Sequence, residues 1–107
     1  MEDKEFVQLV GYVGQDLEES EGDFGLQVAM RLVTYNYVRE EGAGTYKTVW
    51  HHVIALGREA EYARSHLRKG SHILVEGKVK YGSFFGEDGI EREDIWIRAI
   101  GLLHLEL

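Results

Sequence analysis

The chain has 107 residues, a net charge of −7 and 44% hydrophobic residues, the profile of one small globular domain spanning residues 1–107. No apolar run approaches the roughly 20 residues of a membrane-spanning helix, and the acidic start Met1-Glu2-Asp3-Lys4-Glu5 does not suit a secretory signal. The absence of cysteine removes disulfides, thiolate metal sites and cysteine nucleophiles together, and it accords with a cytoplasmic location.

The first expected strand, Phe6–Gly14 (FVQLVGYVG), is rich in β-branched and aromatic side chains. Residues 16–23 (DLEESEGD) follow as a loop with five acids and no base. In the second strand, Gly25–Val38, Leu26, Val28, Met30 and Leu32 alternate with Gln27, Ala29, Arg31 and Val33, the period of a strand with one buried face. Residues 40–46 (EEGAGTY) read as a flexible hairpin connection, and Thr48–Leu56 as the third strand.

Arg58–Lys69 departs from this pattern. It lacks β-branched residues and sets Ala60, Ala63 and Leu67 on one helical face. Glu59 and Glu61 fall in the first turn, Arg68 and Lys69 in the last, and Gly70 is the expected stop. The segment predicts a helix. Ser71–Tyr81 is the fourth strand, residues 86–89 (GEDG) a turn, and Ile95–Leu105 the fifth strand. A second acidic stretch, residues 87–94, holds five acids and Arg92. Elsewhere bases slightly outnumber acids, so the acidity is local. Thirteen glycines and no proline leave glycine to supply the tight turns.

Three strands, a helix and two strands make the order of an OB-fold. That fold is all-β, a five-stranded Greek-key barrel with one α-helix between strands three and four, and it binds oligonucleotides or oligosaccharides on one face.

Catalytic chemistry finds little support. His51 and His52 are adjacent, so on a strand they point to opposite faces and do not grip one metal together. The acidic stretches lack the spaced carboxylates of a calcium loop, and no helix follows Gly11-x-x-Gly14 to make a dinucleotide site. No nucleophile motif is visible. The expectation is a protein without enzymatic activity, cofactor or metal.

Aromatics interleaved with bases are more informative. Tyr35 and Tyr37 share a strand face near Arg39, and Trp50 lies in the third strand. Lys78 and Lys80 alternate with Val79 and Tyr81, ahead of Phe84 and Phe85. Single-stranded nucleic acid is held by such sets, the bases stacking on aromatic faces while cations follow the phosphates. Ordinary core or cross-strand packing would use the same residues, and both readings stand at this point. Arg31, Lys47, Arg92 and Arg98 complete the cations expected near the sheet face. Phe6, Val7, Leu9, Val10 and Val13 put apolar groups on both faces of the first strand, which favours its pairing with a second copy.

Several motifs resemble those of bacterial single-stranded-DNA-binding proteins. Val10-Gly11-Tyr12-Val13-Gly14-Gln15-Asp16 is similar to that family's first-strand signature, and Trp50-His51-His52-Val53 to its Trp-His-x-Val strand. Ala60-Glu61, Leu67-Arg68-Lys69-Gly70-Ser71 and Val75-Glu76-Gly77-Lys78-Val79 follow in family order. The resemblance implies an OB domain that forms homotetramers and wraps single-stranded DNA without sequence preference, in replication, recombination and repair. It implies that Trp50 and Phe84 stack bases, that Leu56 occupies a position often held by phenylalanine, and that His51 lies near a subunit contact. Val38 stands where tryptophan is usual, and Leu17 where proline is usual.

The sequence also stops at Leu107 without the family's long tail, so partners recruited through such a tail are not expected. Two alternatives remain open on the residues. One is a primosomal-type OB paralogue, dimeric and acting mainly through protein contacts in replication restart. The other is a carbohydrate-binding OB domain.

Overall fold

A computed structural model describes residues 5–23 and 25–105. The acidic amino terminus and the chain end at Leu107 lie outside the described residues.

The elements are β1 (Phe6–Val13), β2 (Glu18–Gly22), β3 (Gly25–Glu40), β4 (Ala43–Leu56), α1 (Gly57–His66), β5 (His72–Phe85) and β6 (Glu91–His104). The strands are ordered β1-β5-β6-β4-β3-β2, and a further β1–β3 pairing closes β1, β3, β4, β6 and β5 into a barrel. The expected five-stranded barrel with its helix between the third and fourth barrel strands is therefore present.

The alternation in β3 sends Val28, Met30 and Leu32 inward, where they meet Val13, Val53, Ala55, Ile73, Val75, Ile97 and Ala99. Ala60, Ala63 and Leu67 of the helical segment join that core and plug the barrel's lower end. Fully burying a Val, Leu or Ile side chain stabilises by about 1.5–3 kcal/mol, so these inward rows hold the barrel together.

Three expectations need correction. The acidic stretch 16–23 is not all loop, because Glu18–Gly22 forms β2, antiparallel to Gly25–Ala29 of β3. Its side chains are all exposed, so backbone hydrogen bonds to the edge of β3 hold it rather than burial.

The two hairpins are also longer than expected. β3 and β4 pair from Gln27 opposite Leu56 out to Glu40 opposite Ala43, and β5 and β6 pair out to Phe85 opposite Glu91. The connection expected over 40–46 shrinks to Glu41 and Gly42, with φ of 51° and 81°. Positive φ at both central residues is what a two-residue hairpin turn of the mirror-image type requires.

The helix, finally, ends at His66 rather than Lys69. Leu67 turns extended to bury its side chain, Gly70 N–H donates to the Val13 carbonyl at 2.7 Å, and Val13 N–H donates to the Ser71 carbonyl at 2.9 Å. These bonds to β1 outcompete another helical turn. Gly70, at φ 93°, serves the turn into β5 instead of capping the helix.

Candidate nucleic-acid interface

Residues directly opposite in an antiparallel pair share a sheet face. Since Val28, Met30 and Leu32 face the core, Arg31, Val33, Tyr35, Tyr37 and Arg39 face outward, opposite His52, Trp50, Thr48, Tyr46 and Gly44. Trp50 is 50% exposed, yet its ring is seated: a Cβ added to Gly14 would run into both that ring and Val33. The missing side chain at Gly14 leaves room for the indole. Its outer surface is open.

Beside it runs a row of tyrosines. Tyr37 and Tyr46 meet edge to face with centroids 5.2 Å apart, and Tyr12 meets Tyr35 edge to face at 6.5 Å. Tyr35, Tyr37 and Tyr46 are all more than half exposed. Tyr12, Tyr46 and Trp96 were not singled out from the sequence. Strand register is the signal that brings the first two to this face, and register is not visible in a single strand's pattern. Val38 faces the other way, opposite Thr45, as the alternation requires. Leu56 lies on the Trp50 side of β4 but at its far end, roughly 20 Å away at ~3.4 Å per residue, beside the start of α1.

The second arm divides its expected site residues between two faces. Lys78, Lys80 and Phe84 lie opposite Arg98, Trp96 and Arg92, while Tyr81 and Phe85 lie on the other face with Ile95 and Glu91. Phe84 and Phe85 are both well exposed but point oppositely. Trp96 packs over Gly82, where a Cβ would meet its ring carbons at 2.9 and 3.1 Å. The run Ile95-Trp96-Ile97 hid this tryptophan because apolar neighbours on both sides erase the alternation that marks a face.

Two expected phosphate contacts have other partners. Lys47 Nζ bonds Glu40 Oε1 at 2.8 Å, and Arg92 grips Asp88 through both guanidinium nitrogens at 2.7 and 3.2 Å. The Arg92 guanidinium, with the Ile90 N–H, holds the Asp88 carboxyl below its usual range. Asp16 and Glu18 line a small cleft with Arg31 and His52, so acids border the outward face of β3 and β4 at this end.

Between the arms a cavity of about 280 Å³ opens into the barrel, lined among others by Val7, Leu9, Trp50, His51, Val79 and Trp96. Thr34 Oγ1 and His51 Nε2 are 2.9 Å apart there, and burial lowers the His51 pKa from its ordinary value. Val7 and Leu9 pack against the core, whereas Phe6 and Val10 remain exposed on the outer face of β1. Val10 aligns with Leu74 and Leu103 across β1, β5 and β6 to form an apolar row. Among the described residues β1 pairs with β3 only at Tyr12 and Val13, so its edge from Phe6 to Gly11 has no strand on that side.

Among the described residues no group of three or more histidine, cysteine or acidic side chains is placed to hold a metal ion. Likewise no helix there is long and apolar enough to cross a membrane.

A closed five-stranded barrel with a helix between its third and fourth strands is the OB architecture, and half-exposed aromatics lie along one of its faces. The chain belongs to the Single-strand binding protein family, whose profile it matches over residues 5–103. It is similar to the single-stranded DNA-binding protein of Xanthomonas campestris, at 34% identity over 80% of this chain and 51% of that protein. The protein of the same name from Xylella fastidiosa is 35% identical, over 80% of this chain and 54% of that one. The chain thus spans about half the length of these curated relatives. Among solved structures, the small single-stranded DNA-binding protein of Streptomyces coelicolor superposes with a TM-score of 0.75 at 25% identity, covering 94% of both chains. The Plasmodium falciparum protein, solved in complex with single-stranded DNA, matches in fold with a TM-score of 0.88 at 18% identity, over 99% of this chain and 98% of that one.

Proposed function

We propose that this chain binds single-stranded DNA without sequence preference, in the cytoplasm, and serves replication, recombination and repair. The observation that carries the reading is Trp50, fixed over Gly14 and Val33 yet half exposed beside the Tyr12, Tyr35, Tyr37 and Tyr46 row. An immobilised ring with an open face stacks a base at little entropic cost, and each such stack is worth about 1–3 kcal/mol. Lys80, Arg98, Arg31 and Arg39 on the outward faces supply charge for the phosphates.

The family names of the relatives support the same reading. In a Trp96→Phe variant, which leaves Trp50 as the sole tryptophan, oligo(dT) should quench the emission to saturation. Unchanged emission with no retention of oligo(dT) would sink the reading.

Self-association belongs to the same proposal. An edge of β1 that is unpaired among the described residues, beside the exposed Phe6 and Val10, is a surface that proteins rarely leave to water. Pairing of two copies through this edge covers it, giving a homodimer or, by a second contact that includes the region of His51, a homotetramer. A 12 kDa monomer in sedimentation at micromolar concentration would refute this assembly.

A further inference from the structure

The tyrosine face continues past the barrel rim. Tyr12 stacks on His72 with centroids 4.6 Å apart and 16° between the planes. Both rings border an open pocket of about 840 Å³ at the carboxyl end of α1. Among the described residues its lining carries Arg68 and Lys69, the three imidazoles of His66, His72 and His104, and no carboxylate. In a chain of net charge −7, this concentrates fixed and protonatable positive groups in one place.

The pocket is built rather than incidental. The Tyr62 ring lies against His66 at 4.5 Å, while its hydroxyl accepts the His104 N–H at 2.9 Å, so one tyrosine ties the two histidines' elements together. The turn carrying Arg68 and Lys69 is fixed by Arg68 N–H donating to Ser71 Oγ at 2.9 Å and Gly70 N–H donating to the Val13 carbonyl. His72 Nδ1 is buried and has no hydrogen-bond partner among the described residues.

We propose that this pocket is a phosphate cradle for a single strand leaving the tyrosine face, and that protonation of His66 and His104 tightens its grip. The inference rests on the single-stranded-DNA reading above. Arg68 and Lys69 supply permanent charge, and histidine is the side chain whose charge ordinarily changes between pH 5 and 8. The groups facing these imidazoles are Tyr62 and Ser65 from α1, Tyr12 from β1, and Arg68, Lys69 and Ser71 from the turn. None of these described groups is a carboxylate, so a proton gained by a histidine adds attraction for an anion. An acidic peptide would satisfy the cations but has no use for the aromatic path from Tyr35 through Tyr12 to His72, which is why a nucleic-acid strand is favoured.

The test titrates oligo(dT) across a salt series at about pH 6 and about pH 8, the window in which histidine titrates. At low salt the wild-type protein should bind about tenfold tighter at the lower pH, through added charge-assisted phosphate contacts. Its salt slope should also steepen by about 0.7 for each additional phosphate neutralised. A His66→Gln/His104→Gln double variant, which keeps the Tyr12–His72 stack, should lose this difference between the two pH values. Lys69→Gln, an exposed change that spares the fold, should lower the slope by about 0.7 at both.

A full pH response surviving in the double variant would overturn the proposal, placing the effect at a histidine other than His66 and His104, whether His72, His51 or His52. One slope at both pH values in the wild type would overturn the cradle and leave single-strand binding standing. No oligo(dT) binding at either pH would overturn both. Tight binding of a polyglutamate peptide that oligo(dT) does not displace would assign the pocket to an acidic protein partner instead.

Discussion

Two hairpin arms rise from the same barrel, and they are loaded differently. The β3–β4 arm closes through a two-residue turn at Glu41 and Gly42 and carries its tyrosines on one outward face. Its Lys47–Glu40 ion pair lies on the opposite face, since Lys47 aligns with Asn36 and Glu40 with Ala43. The β5–β6 arm closes through a longer acidic tip, where Asp88 engages Arg92 and accepts the Ile90 N–H at 3.1 Å. Its outward face mixes Lys78, Lys80 and Arg98 with Trp96 and Phe84. The first arm is an aromatic surface without carboxylates among its outward tyrosines; the second brings charge and spends part of it internally. Under the proposed function the first arm contributes the denser aromatic surface, while both arms contribute cations, Arg31 and Arg39 from the first and Lys80 and Arg98 from the second.

The sharpest way to break this division is at Trp50. Trp50→Ala should weaken oligo(dT) binding by about 1–3 kcal/mol, while the thermal midpoint stays close to wild type because the ring sits on the outer face. Phe85→Ala, on the inward-turned face of the other arm, should change affinity far less. Equal losses at both positions, read by fluorescence or anisotropy titration, would erase the distinction between the arms.

Next in size is the turn that holds the first arm in register. Gly42→Val forces a β-branched residue to φ near 81°, at about 1–2 kcal/mol of strain. The thermal midpoint should fall, and binding should weaken with it because Tyr37 and Tyr46 lose their alignment. A variant as stable as the parent would show that the tip does not set the register.

His51, at the mouth between the arms, gives a pH-dependent probe. Burial lowers its folded pKa, so as pH falls the unfolded chain takes up the proton first. Its contribution to stability is complete above the ordinary imidazole value of about 6.5 and is lost as pH falls through the lower folded value. Melting curves between pH 8 and pH 5 should therefore show a decline that His51→Gln flattens. An identical decline in that variant would place the titrating group elsewhere.

The barrel itself was legible because its signals are local. Alternation in residues 26–33 and the Ala60, Ala63, Leu67 spacing each report burial on one side of a single element. The residues alone left Trp50 open between stacking and packing, and only the family resemblance favoured an exposed ring. What stayed hidden depends on partners. β2 has no apolar period, since the edge of β3 rather than the core selects its conformation. The outer halves of the long hairpins lie beyond the barrel, where burial no longer imprints a pattern, so Glu91–Asp94 read as loop. The early end of α1 depends on hydrogen bonds to β1, more than fifty residues earlier in the chain. Tyr12 and Tyr46 reach the aromatic face only through register.

The smallest expected effect divides the acids of one strand by the face they occupy. Glu18 aligns with Ala29, on the same side of β3 as Arg31 and Val33, and with Asp16 it lines the cleft that holds Arg31 and His52 beside Trp50. Glu19 and Glu21 align with Val28 and Leu26, on the opposite side. Only the first pair therefore lies on the side where the phosphates of a strand stacked on Trp50 would run. Asp16→Asn/Glu18→Gln should tighten oligo(dT) binding by about 0.5 kcal/mol per charge at low salt, the scale of exposed charge interactions. The gain should fade above roughly 0.1 M salt, where the screening length is about 10 Å. Glu19→Gln/Glu21→Gln, which removes the same charge from the same strand, should do much less. Equal gains from both pairs would mean that net charge alone matters, and no gain from either would mean that the strand passes clear of β2.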